Sequence, residues 1–495
     1  MNEPIARTES NQYLEALQDQ NPWQRLNRVP GTLAWPVRRS IAEHLWATLL
    51  SPTPGRYQVV LGPRRVGKTV AMYQTIQRLM DSGIPANRLW FLRLDHPLLM
   101  HYELNGWARA LIRRFDTTKE NPLYLFLDEV NYSRNWDKWL KSFHDEQWPL
   151  RIVATSSAAA SLQNRTVESG IGRWSEQFLM PYSFQEFLVL SGKEAALASP
   201  QSTDLFNALL ETIAAGPDTR LIDSDLRVFL LIGGFPELIR NIDAANYEKL
   251  VDSLLRSQQV LRSEAVQRVA GVDIPQVFDI RQPLTLERLV YVLANQICQQ
   301  ASTSSLSRDL EIARPTVENY INYLEKSYLI FTTPNYSRSE AAVQRRGKKV
   351  FFVDGAVRNA ALQRGVAPLS DPREMGFLLE NAVASHLFAL SKQADGRLYY
   401  WRDNQVEVDF VYTAGGPPIA FEVATSQHSL RGLHQIQQRF PETRGRCFLV
   451  TAESNTYEPP EAAADGIGRI PMTAFLLTLG HLTNRALRLR LGVAA

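Results

Sequence analysis

Short apolar runs alternate with amphipathic stretches along the first third of the chain. The runs occupy residues 57–61, 89–95, 123–130 and 150–156. The stretch after the first run carries Met72, Ile76, Leu79 and Met80 near helical spacing. Strands that alternate with helices are typical of a parallel sheet covered by helices on both faces. The pattern therefore predicts an α/β domain over residues 35–190.

Helical patterns dominate the middle of the chain. Residues 191–300 are expected to form a helical lid or linker. Within residues 304–331, Leu306 and Leu310 anchor a short helix, and Pro315 suits the first position of a second helix. The second helix carries an apolar face of Val317, Tyr320, Ile321 and Leu324 and an outward face of Arg314, Thr316, Asn319 and Asn322. This helix–turn–helix predicts a winged helix over residues 301–355.

A second α/β pattern follows. Residues 377–390 have helical spacing, residues 398–412 favour a β-hairpin, and residues 419–427 favour a strand. They predict a smaller α/β domain over residues 356–475. The amphipathic residues 476–495 are expected to dock on the protein or on a partner subunit, and residues 1–34 to form a partly helical extension.

Composition narrows the class of protein. The chain has 495 residues, 45% hydrophobic and 21% charged, so two to four globular domains are expected. Its two cysteines, Cys298 and Cys447, lie too far apart to indicate a zinc site or a disulfide framework. The amino terminus lacks the apolar core of a signal peptide, and no apolar run is long enough to span a bilayer. A cytoplasmic protein without membrane attachment is therefore expected.

Residues 62–69 carry the pattern G-x-x-x-x-G-K-T between a predicted strand and a predicted helix. In this context the loop's N–H groups and the helix amino end hold phosphate, Lys68 reaches the β- and γ-phosphates, and Thr69 binds Mg²⁺. ATP and Mg²⁺ are the expected cofactors. The residues expected around the nucleotide are Gly62, Pro63, Arg64, Arg65, Val66, Gly67, Lys68, Thr69, Val70, Asp128 and Ser156.

The run 123–130 supplies the carboxylates that an NTPase needs. Asp128 would support the Mg²⁺, and Glu129 is placed to polarise the attacking water. Thr155 or Ser156 would contact the γ-phosphate or its water, although a turn-forming serine is an equally good interpretation. Arg173 would act as an arginine finger in a neighbouring subunit, or else is a surface arginine.

Several stretches together resemble a known family. GPRRVGKT, LFLDEV, IVATSS, GRWSEQFLMPYSFQEFL and LLIGGFPELI follow one another in an order similar to that of bacterial and archaeal AAA-type ATPases. Those ATPases carry a C-terminal domain of unknown function with a restriction-endonuclease-like core. The resemblance runs from about residue 35 to about residue 425. It implies an ATPase core, a helical lid, a winged helix and a nuclease-like end.

A basic strip follows the helix–turn–helix. Arg345, Arg346, Lys348 and Lys349 surround Gly347 in what is predicted to be the tip of a wing hairpin. With Arg314, Thr316 and Asn319 they form the predicted DNA-binding set. A tight basic tip would contact a phosphate backbone, and duplex DNA is the expected partner. Winged helices also act as protein–protein modules or spacers, and that alternative stays open.

The nuclease-like end contains a possible second metal site of Glu380, Asp409 and Glu422. The resembled family usually continues with a lysine two residues after this glutamate, where the present chain has Ala424. Three interpretations stay open. The domain is a degenerate nuclease, another side chain such as Arg431 or Gln427 replaces the lysine, or the carboxylates are structural and pair with arginines such as Arg402.

The sequence therefore predicts an ATPase whose nucleotide state controls a DNA-interacting module. A slow nucleotide switch that acts on a protein partner and an ATP-gated nuclease are the alternatives. Relatives of this type often form rings, so self-association is expected.

Overall fold

The computed structural model describes residues 15–51, 55–99, 103–157, 172–193, 199–243, 245–278, 280, 282–345, 347–424, 429–453 and 455–489. The chain divides into two compact units. The first comprises Met1–Pro63 and Gly67–Leu179, and the second comprises Arg64–Val66 and Met180–Ala495. Among the described residues, no helix combines the length and the apolar character that crossing a membrane requires.

Five parallel strands form the sheet of the first unit. They are β1 (Tyr57–Leu61), β2 (Leu89–Arg93), β3 (Leu123–Asp128), β4 (Leu150–Ser156) and β5 (Trp174–Phe178), in the order β2-β3-β4-β1-β5. Every residue of β1 and β3 is buried, as expected where helices cover both faces. The predicted parallel sheet is confirmed. Strand β5 was not predicted because its sequence, WSEQF, lacks an apolar run.

Helices surround this sheet. They are α1 (15–20), α2 (Trp23–Leu26), α3 (Ser40–Leu50), α4 (Lys68–Asp81), α5 (Leu104–Arg114) and α6 (Trp136–Asp145). Helix α4 starts inside the G-x-x-x-x-G-K-T motif, directly after Gly67, whose φ of 93° suits a residue without a side chain. The motif therefore joins the carboxyl end of β1 to the amino end of a helix.

The N-terminal extension packs along the outer edge of β2. The Asn21 side-chain amide donates to the Phe91 carbonyl at 2.9 Å and accepts from the Phe91 N–H at 2.7 Å. The buried Trp23 ring donates from Nε1 to the Leu89 carbonyl at 3.0 Å. The extension thereby satisfies backbone groups that an edge strand would otherwise expose.

The second unit begins with helices. They are α7 (Phe184–Leu190), α8 (Leu205–Ala215), α9 (Asp223–Ile232), α10 (Pro236–Arg240), α11 (Tyr247–Leu261) and α12 (Ile274–Val277). Between α11 and α12 the chain continues in π-helical turns over Arg262–Gln267 and Val269–Asp273. The described part of residues 191–300 is mainly helical, and its role as a lid or linker stays a prediction.

Four helices and two strands come next. They are α13 (Pro283–Asn295), α14 (Thr303–Leu310), α15 (Arg314–Lys326), β6 (Ile330–Thr333) and β7 (Lys349–Phe352), with α16 (Glu340–Arg345) between the strands. Strands β6 and β7 pair antiparallel. The connection between them contains a helix, so the predicted tight hairpin tip is wrong for residues 340–345.

A second five-stranded sheet completes this unit. Its strands are β8 (Arg397–Asp403), β9 (Val406–Thr413), β10 (Ile419–Ala424), β11 (Cys447–Thr451) and β12 (Gly468–Pro471) in sequential order. The first three are antiparallel and the last three parallel. The remaining helices are α17 (Gly355–Ala361), α18 (Pro372–Gln393), α19 (Arg431–Arg439) and α20 (Met472–Leu489), of which α20 packs on α18.

Gly234 explains two of the stretches that carried the family resemblance. Its N–H donates to the Asp354 carboxylate at 2.7 Å, and its carbonyl accepts from the Tyr182 N–H at 2.7 Å. A Cβ on Gly234 would lie 2.2 Å from the Tyr182 carbonyl oxygen, so only glycine fits. The MPYSFQEF and GGFPE stretches therefore interlock within the second unit and hold its helices together.

Candidate functional site

The phosphate loop follows β1 at the carboxyl edge of the parallel sheet. An added Cβ on Gly62 would lie 2.0 Å from the Leu179 carbonyl oxygen, which requires glycine at this position. The Lys68 ammonium is buried and donates to the carbonyls of Gly62 at 3.0 Å and Pro63 at 2.9 Å. The loop therefore curls around the cation of its own lysine.

The Asp128 carboxylate, at the end of β3, links Thr69 of the phosphate loop to Thr155 of β4. Its Oδ2 accepts a hydrogen bond from the Thr69 hydroxyl at 2.9 Å, and its Oδ1 accepts one from the Thr155 hydroxyl at 2.6 Å. Burial, followed by the charge of Glu129, raises the pKa of Asp128 to about 6. The two hydroxyls and Lys68 act in the opposite direction. Asp128 is thus a buried carboxylate that cations would stabilise in its ionised form.

Glu129 is held by the end of β4. Its N–H donates to the Thr155 hydroxyl at 3.0 Å. Its Oε2 accepts from the Ser157 N–H at 3.2 Å and from the Ser157 hydroxyl at 2.8 Å. Glu129 also has a positive φ of 55°, which turns the chain away from the strand. The sequence did not identify Ser157, because a serine after a strand carries no signal of its partner.

Two other predicted residues lie apart from this network. The Ser156 hydroxyl donates to Asn131 Oδ1 at 3.2 Å rather than to Asp128 or Glu129. Arg173 precedes β5 at the amino edge of the sheet, where its Nε donates to Asp145 Oδ1 at 2.8 Å. Arg173 is therefore not beside the phosphate loop of its own chain, and a role in a neighbouring subunit stays a prediction.

Arg64 and Arg65 group with the second unit, and their side chains pair with carboxylates there. Arg64 Nε lies 3.4 Å from Glu264 Oε2, and Arg65 Nε lies 3.5 Å from the same oxygen. Arg65 also forms an ion pair with Glu237, and Arg64 Nη1 lies 3.6 Å from Asp273. The guanidinium groups of both arginines are therefore engaged by carboxylates, and their contact with a phosphate stays a prediction.

The oxygens of Thr69 and Asp128 fit a magnesium ion. Mg²⁺ prefers hydroxyl, carboxylate and phosphate oxygens, and it usually keeps several waters. A site of this kind does not need a cage of protein carboxylates. Accordingly, no group of three or more His, Cys, Asp or Glu side chains among the described residues is arranged to hold a metal.

The predicted DNA-binding residues are partly exposed. On α15, Arg314 and Asn319 face solvent, although Arg314 Nε donates to Thr303 at 3.1 Å and to Glu318 at 3.2 Å. Thr316 is half-buried and Lys348 is exposed. Arg346 and the side chain of Arg345 lie outside the described part of the chain.

The prediction that Lys349 is exposed at a hairpin tip is wrong, because its side chain is buried. Its ammonium lies 3.4 Å from Glu380 Oε1, 2.5 Å from Glu407 Oε1 and 3.7 Å from Asp409 Oδ1. Burial lowers the pKa of Lys349, but Glu380, Asp409 and Glu407 together outweigh it and raise that pKa above its usual value. Burial has the largest effect on Glu380 and raises the pKa of its carboxyl to about 7. Lys349 cannot contact DNA from this position.

Glu380 and Asp409 of the predicted second metal site converge on Lys349. Glu422 is buried on β10 with its Oε1 facing Gly432 of α19, and the next residue, Val423, donates its N–H to Asp409 Oδ2 at 3.0 Å. Arg402 lies 3.8 Å from Glu407, Arg431 begins α19 with its side chain exposed, and Gln427 lies outside the described residues. The cation that the structure brings to these carboxylates is Lys349, from a distant part of the sequence.

Sequence comparisons divide the chain into three parts. Residues 55–188 match the family model of an AAA domain. Residues 223–367 match DUF8612 and residues 375–474 match DUF4143, both of which are domains of unknown function.

Related proteins span most of this chain. An uncharacterised protein of Methanocaldococcus jannaschii is 26% identical over 394 residues, which cover 78% of this chain and 79% of that protein. An uncharacterised protein of Haemophilus influenzae is 22% identical over 430 residues, which cover 85% and 94%. The ORC2 protein of Aeropyrum pernix, a solved structure, is 13% identical with a TM-score of 0.36, and the match covers 68% of this chain and 95% of that one.

The family match and the geometry agree for the first unit. The matched residues contain all five strands of the parallel sheet, the phosphate loop and the Asp128 network. Residues 55–188 are an AAA-type P-loop ATPase domain.

Proposed function

We propose that this protein is a Mg²⁺-dependent ATPase whose nucleotide state controls a DNA-interacting C-terminal module. The observation that carries the proposal is the network in which Asp128 accepts hydrogen bonds from both Thr69 and Thr155, next to the buried Lys68. In this proposal Lys68 supplies a cation for phosphate, Thr69 and Asp128 supply oxygens for Mg²⁺, and the adjacent Glu129 supplies a carboxylate for water.

Each residue has one role in this proposal. Lys68 leaves the carbonyls of Gly62 and Pro63 and binds the β- and γ-phosphates, since a charged acceptor is stronger than a neutral carbonyl. Thr69 and Asp128 hold the ion, which would neutralise the charge of the phosphates. Glu129 orients the water that attacks the γ-phosphate, and Ser157 sets the position of its carboxylate.

The DNA-interacting part of the proposal is the segment from α14 to β7, which we assign as the winged helix expected over residues 301–355. Helix α15 presents Arg314, Thr316 and Asn319, and Lys348 is exposed before β7. The exposed face of α15 also carries Glu318, which pairs with Arg314. This mixed charge favours the alternative, a protein partner. The basal rate and its response to DNA separate the two possibilities.

We assign the C-terminal sheet to a degenerate restriction-endonuclease-like domain. The Lys349 ammonium already lies among the carboxylates of Glu380, Glu407 and Asp409, so these side chains are compensated by a cation of the protein itself. Such a domain would serve binding or assembly. An active nuclease would instead cut plasmid DNA in Mg²⁺ or Mn²⁺ and lose that activity in Asp409→Ala.

The experiment that tests the proposal is steady-state ATP hydrolysis with and without duplex DNA, with Glu129→Gln as the blank. Hydrolysis that DNA stimulates, with a stimulation that high salt abolishes, supports the DNA-coupled ATPase. Arg345→Glu with Arg346→Glu should remove the stimulation and leave the basal rate. A slow rate that DNA does not change would support the protein-partnered switch. Normal ATP binding by Lys68→Ala would contradict the phosphate-loop assignment itself.

A further inference from the structure

A pocket of about 380 Å³ lies at the edge of the parallel sheet opposite the phosphate loop. Its floor includes Tyr57 at the start of β1, Leu150 and Ile152 near the start of β4, and Phe143 on α6. Because β1 runs from Tyr57 to Leu61 at about 3.3 Å per residue, the two ends of this strand are about 13 Å apart. The pocket is therefore separate from the predicted ATP site.

The charged side chains that line the pocket are all basic. Arg56, Lys119 and Arg151 contribute to the lining, and none of the lining residues is an aspartate or a glutamate. Among the described residues, neither Arg56 nor Arg151 forms an ion pair, and Lys119 donates to the neutral Gln147 side chain at 2.7 Å. The lining therefore carries positive charge that the protein does not neutralise locally.

The nearest acidic residues along α6 are engaged elsewhere. Asp145 accepts from Arg173 at 2.8 Å. The Glu146 carboxylate accepts from the Ser142 hydroxyl and, at 2.9 Å, from Trp148 Nε1. Both carboxylates also contact the lining, since Asp145 Oδ1 lies 3.6 Å from His144 Nδ1 and Glu146 bonds Trp148, but among the described residues neither forms an ion pair with Arg56, Lys119 or Arg151.

An aromatic wall stands beside these cations. The Trp148 ring contacts the buried Phe143 ring at a centroid distance of 4.6 Å. The Arg109 guanidinium lies 5.1 Å from the Trp148 ring centroid, and the indole N–H is fixed by Glu146. The ring is thus held in place before any ligand arrives, which lowers the entropic cost of binding a flat partner.

We propose that this pocket binds a phosphorylated nucleoside. The base would lie against the aromatic wall and the apolar floor, and the phosphate would be held by Arg56, Arg151 and Lys119. The volume is within the range of small-molecule sites, about 300–1,000 Å³. A free nucleotide and the end of a nucleic-acid strand present the same chemistry, and the experiment separates them.

The test is calorimetric titration of the full chain carrying Lys68→Ala, in buffer that contains EDTA. One arm uses AMP, which lacks the β- and γ-phosphates that the phosphate loop would bind, and the other uses a short single-stranded oligonucleotide. Binding of AMP alone identifies a free nucleotide as the ligand, and binding of the oligonucleotide alone identifies a strand end. Adding Arg56→Gln and Arg151→Gln should raise the Kd at least tenfold.

The matched control is Arg113→Gln, which removes an exposed arginine of α5 that does not line the pocket. It should leave the Kd unchanged, and thermal unfolding should show that all variants are folded. In an otherwise native chain, Arg56→Gln with Arg151→Gln should keep the basal ATPase rate, so failure of this site is distinguishable from failure of the ATP site. Absence of binding in both arms, or an equal Kd in the pocket variant, would overturn the proposal.

Discussion

The Thr155 hydroxyl donates a 2.6 Å hydrogen bond to the buried carboxylate of Asp128. The same hydroxyl accepts the N–H of the next residue after Asp128, Glu129, so one side chain on β4 fixes both acidic residues at the end of β3. A single hydroxyl thereby sets the positions of a proposed metal ligand and a proposed base, and this arrangement leads to the first prediction.

Thr155→Val should destabilise the protein by about 1–3 kcal/mol, because it leaves a buried carboxylate oxygen and a backbone N–H without this partner. It should also weaken Mg²⁺-dependent ATP binding. Urea unfolding and nucleotide titration measure the two effects. Thr155→Ser, which keeps the hydroxyl, should retain most of both properties. If Val and Ser variants behave alike, the hydroxyl does not organise the site.

Asp128→Asn tests the burial of this carboxylate through pH. The folded-state pKa is raised to about 6 from 3.8, so the protonated form favours folding. This contribution is complete below pH 3.8 and is lost as pH rises through about 6. In EDTA, Asp128→Asn should therefore exceed the native chain in stability by on the order of 2 kcal/mol at neutral pH.

The measurement for this prediction is urea unfolding of both proteins from about pH 7.5 down to about pH 4.5. The difference in unfolding free energy should shrink along this series. A constant difference across the range would mean that the carboxyl does not titrate in this window.

Ser157→Ala should lower kcat for ATP hydrolysis about three- to tenfold and leave KM unchanged, because the lost hydroxyl positions Glu129 and, within the described part of the chain, bonds no phosphate-loop residue. Steady-state kinetics measure both constants. The control is Ser142→Ala, which removes a hydroxyl of α6 that donates to Glu146. It should change neither kcat nor KM. A rise in KM alone would assign Ser157 to nucleotide binding.

Lys349→Met should destabilise the second unit by about 3–5 kcal/mol, because it leaves three buried or partly buried carboxylates without their cation. Thermal or urea unfolding measures the loss. The neighbouring Lys348 is exposed, so Lys348→Met should stay within about 0.5 kcal/mol of the native chain. Equal effects of the two substitutions would contradict the buried position of Lys349.

The parallel sheet could be predicted because its strands are buried on both faces and leave continuous apolar runs. Strand β5 could not, because its residues are mostly half-buried and its sequence is polar. The phosphate loop was predictable since its chemistry lies within eight consecutive residues, 62–69. Ser157 and Glu129 are also close in space, but a separation of 28 residues conceals their hydrogen bond.

Lys349 shows why the surroundings of the second sheet were harder to predict from the sequence. The sequence placed it among basic neighbours, where a solvent-exposed strip was the natural interpretation. Burial depends on Glu380, Glu407 and Asp409, which come from a later helix and strand. Only the packing of β7 against these elements brings the charges together, and no local pattern encodes that packing.

The hydrogen bonds of Asn21 along β2 bear on how copies of this chain can meet. An edge strand with unpaired backbone groups can pair with a strand of a second molecule, and such pairing can continue from one copy to the next. Here a side-chain amide takes the place of that incoming backbone at Phe91. A strand of a second molecule therefore cannot pair with β2 at Phe91, because the backbone groups there are already bonded within the chain.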